Sequence, residues 1–241
     1  SGFAHAHASL RHHPALTGRA YSTQQQRMRA TGNRPDRVTL CKRALRRAEL
    51  PLAYSQGFTP HPKLAFGSPL PMGFSSEGEV MDVTLDDRIE VPEFVRRLGE
   101  QTTEDLAVVR AEEIAPTAPA PQASMLWADY RLSLPVPPEE AAARVKQFTA
   151  LASLAWREER GERVREYDLR AACSWLRSKA TEGGTEFEMR LRADQDLTAR
   201  PEALVTALFP ELTPPLITRV GIVLDEPSPA RDLWRRVGQY Q

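Results

Sequence analysis

Residues 53–85 read AYSQGFTPHPKLAFGSPLPMGFSSEGEVMDVTL. The first twenty-one of these hold four prolines and three glycines. Pro60 and Pro62 each remove a backbone donor and push Thr59 and His61 away from helical dihedrals. TPHP therefore enters as an extended segment, which KLAFG continues as a short strand until SPLPMG interrupts the ladder. Prolines on both sides suit an edge strand or a bulged loop. Beyond them Glu79, Met81, Val83 and Leu85 alternate with Val80, Asp82 and Thr84, the period of a strand.

Working upstream, PDRVTLCKRALRRAEL places Val38, Cys41, Leu45 and Ala48 at spacings of three and four, which is one apolar helical stripe. Pro51 follows its end. Lys42, Arg43, Arg46 and Arg47 fall on the outer side, either as a solvated face or as a phosphate-binding one. Downstream, VPEFVRRLGE predicts a short helix and DLAVVRAEEI a strand. The order from residue 36 is then helix, strand, strand, helix, strand, and a strand before the first helix would complete a split β-α-β unit. That strand is expected near QQQRMRAT, where the pattern is weak.

The second half repeats the order. LWADYRLSLPV alternates as a strand, PPEEAAARVKQFTALA opens a helix on proline, and SLAWREERGERVREYDLR predicts a hairpin around Gly161. DLRAACSWLRS predicts a short helix with Asp168 as N-cap, because Leu169, Cys173 and Leu176 line up at helical spacing. TEFEMRLRAD, ARPEALVTALF and LITRVGIVL predict strand, helix and strand. The expected fold is α+β, two ferredoxin-like sandwich units, the first with an atypical or incomplete N-terminal strand. The expected boundaries are a disordered or atypical leader at 1–35, a first unit at 36–114, a Pro/Ala linker at 115–124, a second unit at 125–225 and a tail at 226–241.

The chain has 241 residues, 41% hydrophobic and 27% charged, enough for a real core. Lys plus Arg and Asp plus Glu are both 32, so overall charge selects no partner. The local layout is polarised. Arg11 to Arg47 holds ten basic residues against Asp36, and Glu77 to Glu113 holds twelve acidic residues against four arginines. Such polarity suits oriented docking onto RNA or an acidic protein surface. No apolar run approaches the length of a spanning helix, and a cytoplasmic location without membrane contact is the expectation.

Two cysteines, Cys41 and Cys173, are far apart and sit in apolar stripes, so both read as core residues. Four of the five histidines (His5, His7, His12, His13) crowd the leader. Neither pattern builds a structural zinc or iron–sulfur site, and no metal or other cofactor is expected on this chain. GxxxxGK[ST], GxSxG and a strand–helix GxGxxG are absent. The candidate acid/base groups are His61, Glu77 and Glu79, with Asp82 nearby. The candidate binding surface is Tyr54, Ser55, Gln56, Gly57, Phe58, Pro60, His61, Pro62 and Lys63, with Arg43, Arg46 and Arg47 on the preceding helix. The stiff backbone presents the imidazole in one orientation. Arg165, Asp168 and Arg170 read as an arginine–carboxylate network.

The stretch ALRRAELPLAYSQGFTPHPKLAFGSPLPMGFSSEGEVMDVTL resembles the bacterial radical-SAM-linked protein family, a domain of unknown function. The resemblance is close over about residues 40–85 and continues weakly through GERVREYDLRAA and ARPEALVTAL. It implies an accessory protein working with a B12-binding radical SAM enzyme, binding or presenting its substrate; the polarised charge layout adds RNA as one substrate class. The partner would carry the iron–sulfur cluster, SAM and, in the family's setting, cobalamin. This chain lacks CxxxCxxC and is not itself the radical SAM enzyme. Family members open with a strand ending near a Ser-His dipeptide, where this chain has ATGNRPDRVTL without the histidine. Two other readings stay open: a stand-alone RNA-binding or RNA-processing protein, and a small acid/base enzyme using His61. Oligomeric state is not legible.

Overall fold

The structure is a computed structural model that describes residues 16–23, 34–102, 107–114 and 118–225. It is a mixed α+β fold with two larger sheets. The first half contains β1 (Leu16–Thr23), α1 (Arg34–Arg47), β2 (Leu64–Phe66), β3 (Phe74–Ser76), β4 (Glu79–Leu85), α2 (Val91–Gly99) and β5 (Ala107–Ile114). The second contains β6 (Met125–Leu134), α3 (Pro138–Ala150), β7 (Ala155–Arg160), β8 (Arg163–Asp168), β9 (Cys173–Thr181), β10 (Gly184–Arg192), α4 (Pro201–Leu208) and β11 (Ile217–Leu224). The four-stranded sheet runs β2-β4-β1-β5 and the five-stranded sheet β3-β11-β6-β10-β9, while β7 and β8 form a separate hairpin. Both large orders are compatible with split β-α-β units.

Local chemistry accounts for most elements. α2, α3 and α4 each carry proline in the first two helical positions, where a missing N–H costs nothing. The stripe on α1 is buried through Cys41, Leu45 and Ala48, together with Ala44. It packs with Met81, Val83 and Leu85 of β4 and Phe94 and Leu98 of α2 as one core. A second core lies under the five-stranded sheet, built from Ala128, Tyr130, Leu132, Phe187, Met189 and Leu191 against α3 and α4. Gly161, at φ 56°, turns β7 into β8 as the sequence suggests.

Three expectations change. The strand ahead of α1 is β1 at Leu16–Thr23, inside the expected leader, and it pairs with both β4 and β5. The first sheet is therefore not short of its N-terminal strand. LTGRAYST mixes small and polar residues with few apolar ones, so its own periodicity was silent and pairing on both sides defines it. The expected location, QQQRMRAT, falls outside the described residues, as do His5, His7, His12, His13 and the tail.

Secondly, residues 173–176 form strand, not helix. Arg190 faces Trp175 and Leu191 faces Cys173 across the β10–β9 ladder, so Ser174 is an extra, bulged residue. The bulge puts Cys173 and Leu176 on one buried face three residues apart, which imitates helical spacing. Asp168 instead holds the turn before β9. Its Oδ1 accepts from the N–H groups of Leu154 at 2.9 Å, Arg170 at 2.9 Å and Ala171 at 3.1 Å.

Thirdly, residues 36–114 do not all build the first sheet. β3 leaves it and runs parallel to β11 at the edge of the second, pairing Phe74 with Ile217 and Ser76 with Arg219. Phe74 and Val80 belong to the second core.

Candidate functional site

The stretch after α1 forms a hairpin rooted in the first sheet. Leu52 and Ala53 are buried, and Leu52 bridges Leu85 at the end of β4. The Ala53 N–H donates to Thr84 O at 2.9 Å, the Lys63 N–H to Ala53 O at 2.8 Å, and the Thr84 N–H to Lys63 O at 3.1 Å. Tyr54 then bridges the buried Pro62. One step further the Ser55 N–H donates to His61 O at 2.8 Å, and the His61 N–H donates to Ser55 Oγ at 3.0 Å. Both prolines lie on the returning arm, so their missing donors cost the ladder no hydrogen bond that it uses. Gly57, at φ 127°, makes the reversal with a conformation that side-chain-bearing residues rarely adopt.

The residues beyond this clamp point outward. Gln56, Gly57, Phe58, Thr59, Pro60 and His61 are exposed, as is Lys63, and Tyr54 is 38% exposed. Phe58 is 110% exposed, more than a reference chain would leave it. The His61 imidazole has no hydrogen-bond or charge partner among the described residues.

Glu77 and Glu79 lie elsewhere. Leu64 faces Val83 in the β2–β4 ladder, so His61 is level with the far end of β4 while Glu79 begins that strand. Seven residues of strand separate the two levels, roughly 23 Å. The structure thus brings Glu77 and Glu79 together at one end of β4 and His61 to the other. Each carboxylate is engaged. Glu77 pairs with Arg131 of β6. Glu79 accepts from the Ser76 hydroxyl and from Arg219 of β11, with Arg219 Nη2 at 2.7 and 2.8 Å and Nε at 3.2 Å. Arg219 Nη2 also donates to Ser68 O at 2.9 Å. Burial raises the pKa of the neighbouring Tyr130 phenol above its ordinary value, against the pull of Arg219. Asp82 is buried within β4.

Arg43, Arg46 and Arg47 are exposed on α1, and Arg47 donates to Gln101 O at 2.9 Å. The last two occupy the final helical turn, where cations oppose the helix dipole. Arg170 donates to Cys173 O at 2.9 Å, so the VREYDLR segment is a turn-stabilising network. Burial pushes the Cys173 thiol up to about 11, which leaves it without thiolate character at neutral pH. Among the described residues no group of three or more His, Cys, Asp or Glu side chains is placed to hold a metal ion. None of their helices is long and apolar enough to cross a membrane.

Two features escaped the sequence reading. Arg219, 2% exposed, is the largest fully buried side chain among the described residues. Trp127 and Trp175 lie on the face of the five-stranded sheet opposite α3 and α4. In LWADYRLSL the signal was available, since Trp127 shares its phase with Asp129 and Arg131 rather than with Ala128, Tyr130 and Leu132. Trp175 was hidden by the helical misreading of its strand.

No curated protein matches the chain. The bacterial family described as "Uncharacterized protein conserved in bacteria (DUF2344)" matches residues 19–201, well over half of the sequence. That span takes in β1 from Arg19, the hairpin, both sheets up to β10 and the start of α4, and the chain belongs to this family.

Proposed function

We propose that this protein is a cytoplasmic accessory factor of a B12-binding radical SAM enzyme, docking on it through the 54–62 hairpin and binding or presenting that enzyme's substrate. The iron–sulfur cluster, SAM and cobalamin belong to the partner. The resemblance of the YSQGFTPHPK segment to the radical-SAM-linked family motivates the choice of partner. The observation that carries the docking role is Phe58, wholly exposed at the tip of a hairpin whose two arms are hydrogen-bonded between Ala53 and Lys63 and between Ser55 and His61. A bare aromatic on a stiff backbone is the kind of anchor that dominates interfaces. Little conformational entropy remains to be lost when it docks. His61 and Lys63 flank it as polar contacts.

The distance of His61 from Glu77 and Glu79 supports recognition over proton transfer at this segment. Copurification from nuclease-treated native lysate tests the reading, with the captured enzyme identified as a radical SAM protein. Phe58→Ala removes only exposed atoms and is expected to leave the fold intact while weakening capture about thirtyfold, the scale of a 2 kcal/mol anchor. Equal capture by Phe58→Ala and the unaltered chain would sink the docking role. Recovery of no radical SAM enzyme by either would sink the partnership.

A further inference from the structure

The five-stranded sheet buries one face under α3 and α4 and leaves the other without a covering element among the described residues. Trp127 on β6 and Trp175 on β9 stand on that open face. Both are half-buried, and neither packs against the core, whereas Trp156 does. In register, Trp127 faces Arg192 and Trp175 faces Arg190, with β10 between them. Two strand spacings across and two residues along put the two backbone positions about 12 Å apart. The guanidiniums of Arg177 and Arg190 lie 5.2 and 5.6 Å from the Trp175 ring centroid. We infer that this open face binds single-stranded nucleic acid by stacking bases on Trp127 and Trp175, with Arg177 and Lys179 meeting the backbone phosphates.

The charges on the face decide what kind of binding this is. Arg190 is held by Asp129 at 2.7 and 2.8 Å, Arg131 by Glu77, and Arg192 by Asp194. Glu186 and Glu188 stand on β10 opposite Lys179 and Arg177. Arg177 and Lys179 are exposed and have no ion pair among the described residues. The face is therefore close to neutral: Glu186 and Glu188 balance Lys179 and Arg177, and the Arg177 guanidinium already lies over the Trp175 ring. That balance favours stacking over phosphate attraction, and it favours splayed single strands over a duplex, whose bases are already stacked. The ion pairs pre-organise Arg131, Arg190 and Arg192. This surface is separate from the hairpin and does not depend on it.

The test uses the purified full chain and labelled mixed-sequence dodecamers of RNA and of DNA, followed by anisotropy and by quenching of tryptophan fluorescence. Binding of one or both single strands, with quenching, is expected, and the two arms show which sugar is preferred. With two phosphates neutralised, log K should fall against log salt with a slope of about −1.4. Trp175→Ala and Trp127→Ala should each weaken binding roughly five- to a hundred-fold, and Trp→Phe at either position should restore most of it. Arg177→Glu, a change at an exposed position, should weaken binding and flatten the salt slope without touching the fold. Phe58→Ala should change nothing here, so failure of this inference and failure of the docking role are read separately. Binding undiminished in both tryptophan variants, tighter binding of a duplex, a slope several times steeper, or no binding of either strand would each overturn the inference.

Discussion

Arg219 sets one guanidinium nitrogen 2.8 and 2.7 Å from the two carboxylate oxygens of Glu79, 140 residues earlier in the chain. The arginine is 2% exposed and the carboxylate side chain 21%. This pair locks β4 of the first sheet to β11 of the second, and Ser68 O and the Ser76 hydroxyl complete its hydrogen bonding. Breaking one side leaves a charge stranded near the core, which typically costs about 3–5 kcal/mol. Arg219→Ala is expected to lose most of that in urea denaturation followed by tryptophan fluorescence. The double variant Glu79→Gln with Arg219→Met should recover much of the loss, because no unpaired charge remains. A loss below about 1 kcal/mol for Arg219→Ala would mean that the pair contributes little.

Gly78 sits where the two sheets touch. A Cβ there would come within 2.3 Å of Val220 O and 3.1 Å of Gly221 Cα, both backbone atoms that cannot rotate aside. The Glu77 N–H donates to Arg219 O at 2.9 Å one residue earlier, so the crossing cannot slide. Gly78→Ala is expected to force β3 off β11 and cost about 1–3 kcal/mol, as overpacking does. Gly57→Ala is the control, with open space around it and only the strain of its positive φ. A thermal melt in which Gly78→Ala matches the unaltered chain would contradict the close approach.

Asp168 makes a prediction with a definite sign. The N–H groups of Leu154 and Ala171 hold its carboxyl pKa below the usual value, with that of Arg170 adding to them. A depressed native pKa stabilises the fold above the unfolded value, near 3.9, and that contribution disappears as pH falls through the native value. Asp168→Asn keeps an accepting oxygen without the titration. The melting-temperature gap between the two proteins should be widest near neutral pH and close on acidification. A gap that is constant with pH, or that widens in acid, would show that the carboxylate charge is irrelevant to the turn.

Much of the architecture was legible because it rests on local chemistry. Prolines at helix starts, Gly161 in its turn and the alternation of β4, β6 and β10 each declare themselves within a few residues. β1 was not legible, because LTGRAYST has little periodicity and becomes a strand by pairing with two neighbours more than fifty residues away. Cys173 and Leu176 misled because a bulge in a strand and a turn of helix give the same spacing. For the candidate site, proximity in sequence grouped His61 with Glu77 and Glu79, yet an antiparallel strand carried them to opposite ends of β4.

What the sequence determined alone is the restricted backbone at residues 59–62, since proline limits its own dihedrals and those of the residue before it whatever surrounds them. Tertiary structure decided where that segment's neighbours go: β3 to the second sheet, Glu79 to Arg219, and two tryptophans to a face left uncovered among the described residues. The reason is that dihedral limits act within a residue or two. A burial partner or a sheet face exists only after distant strands have paired.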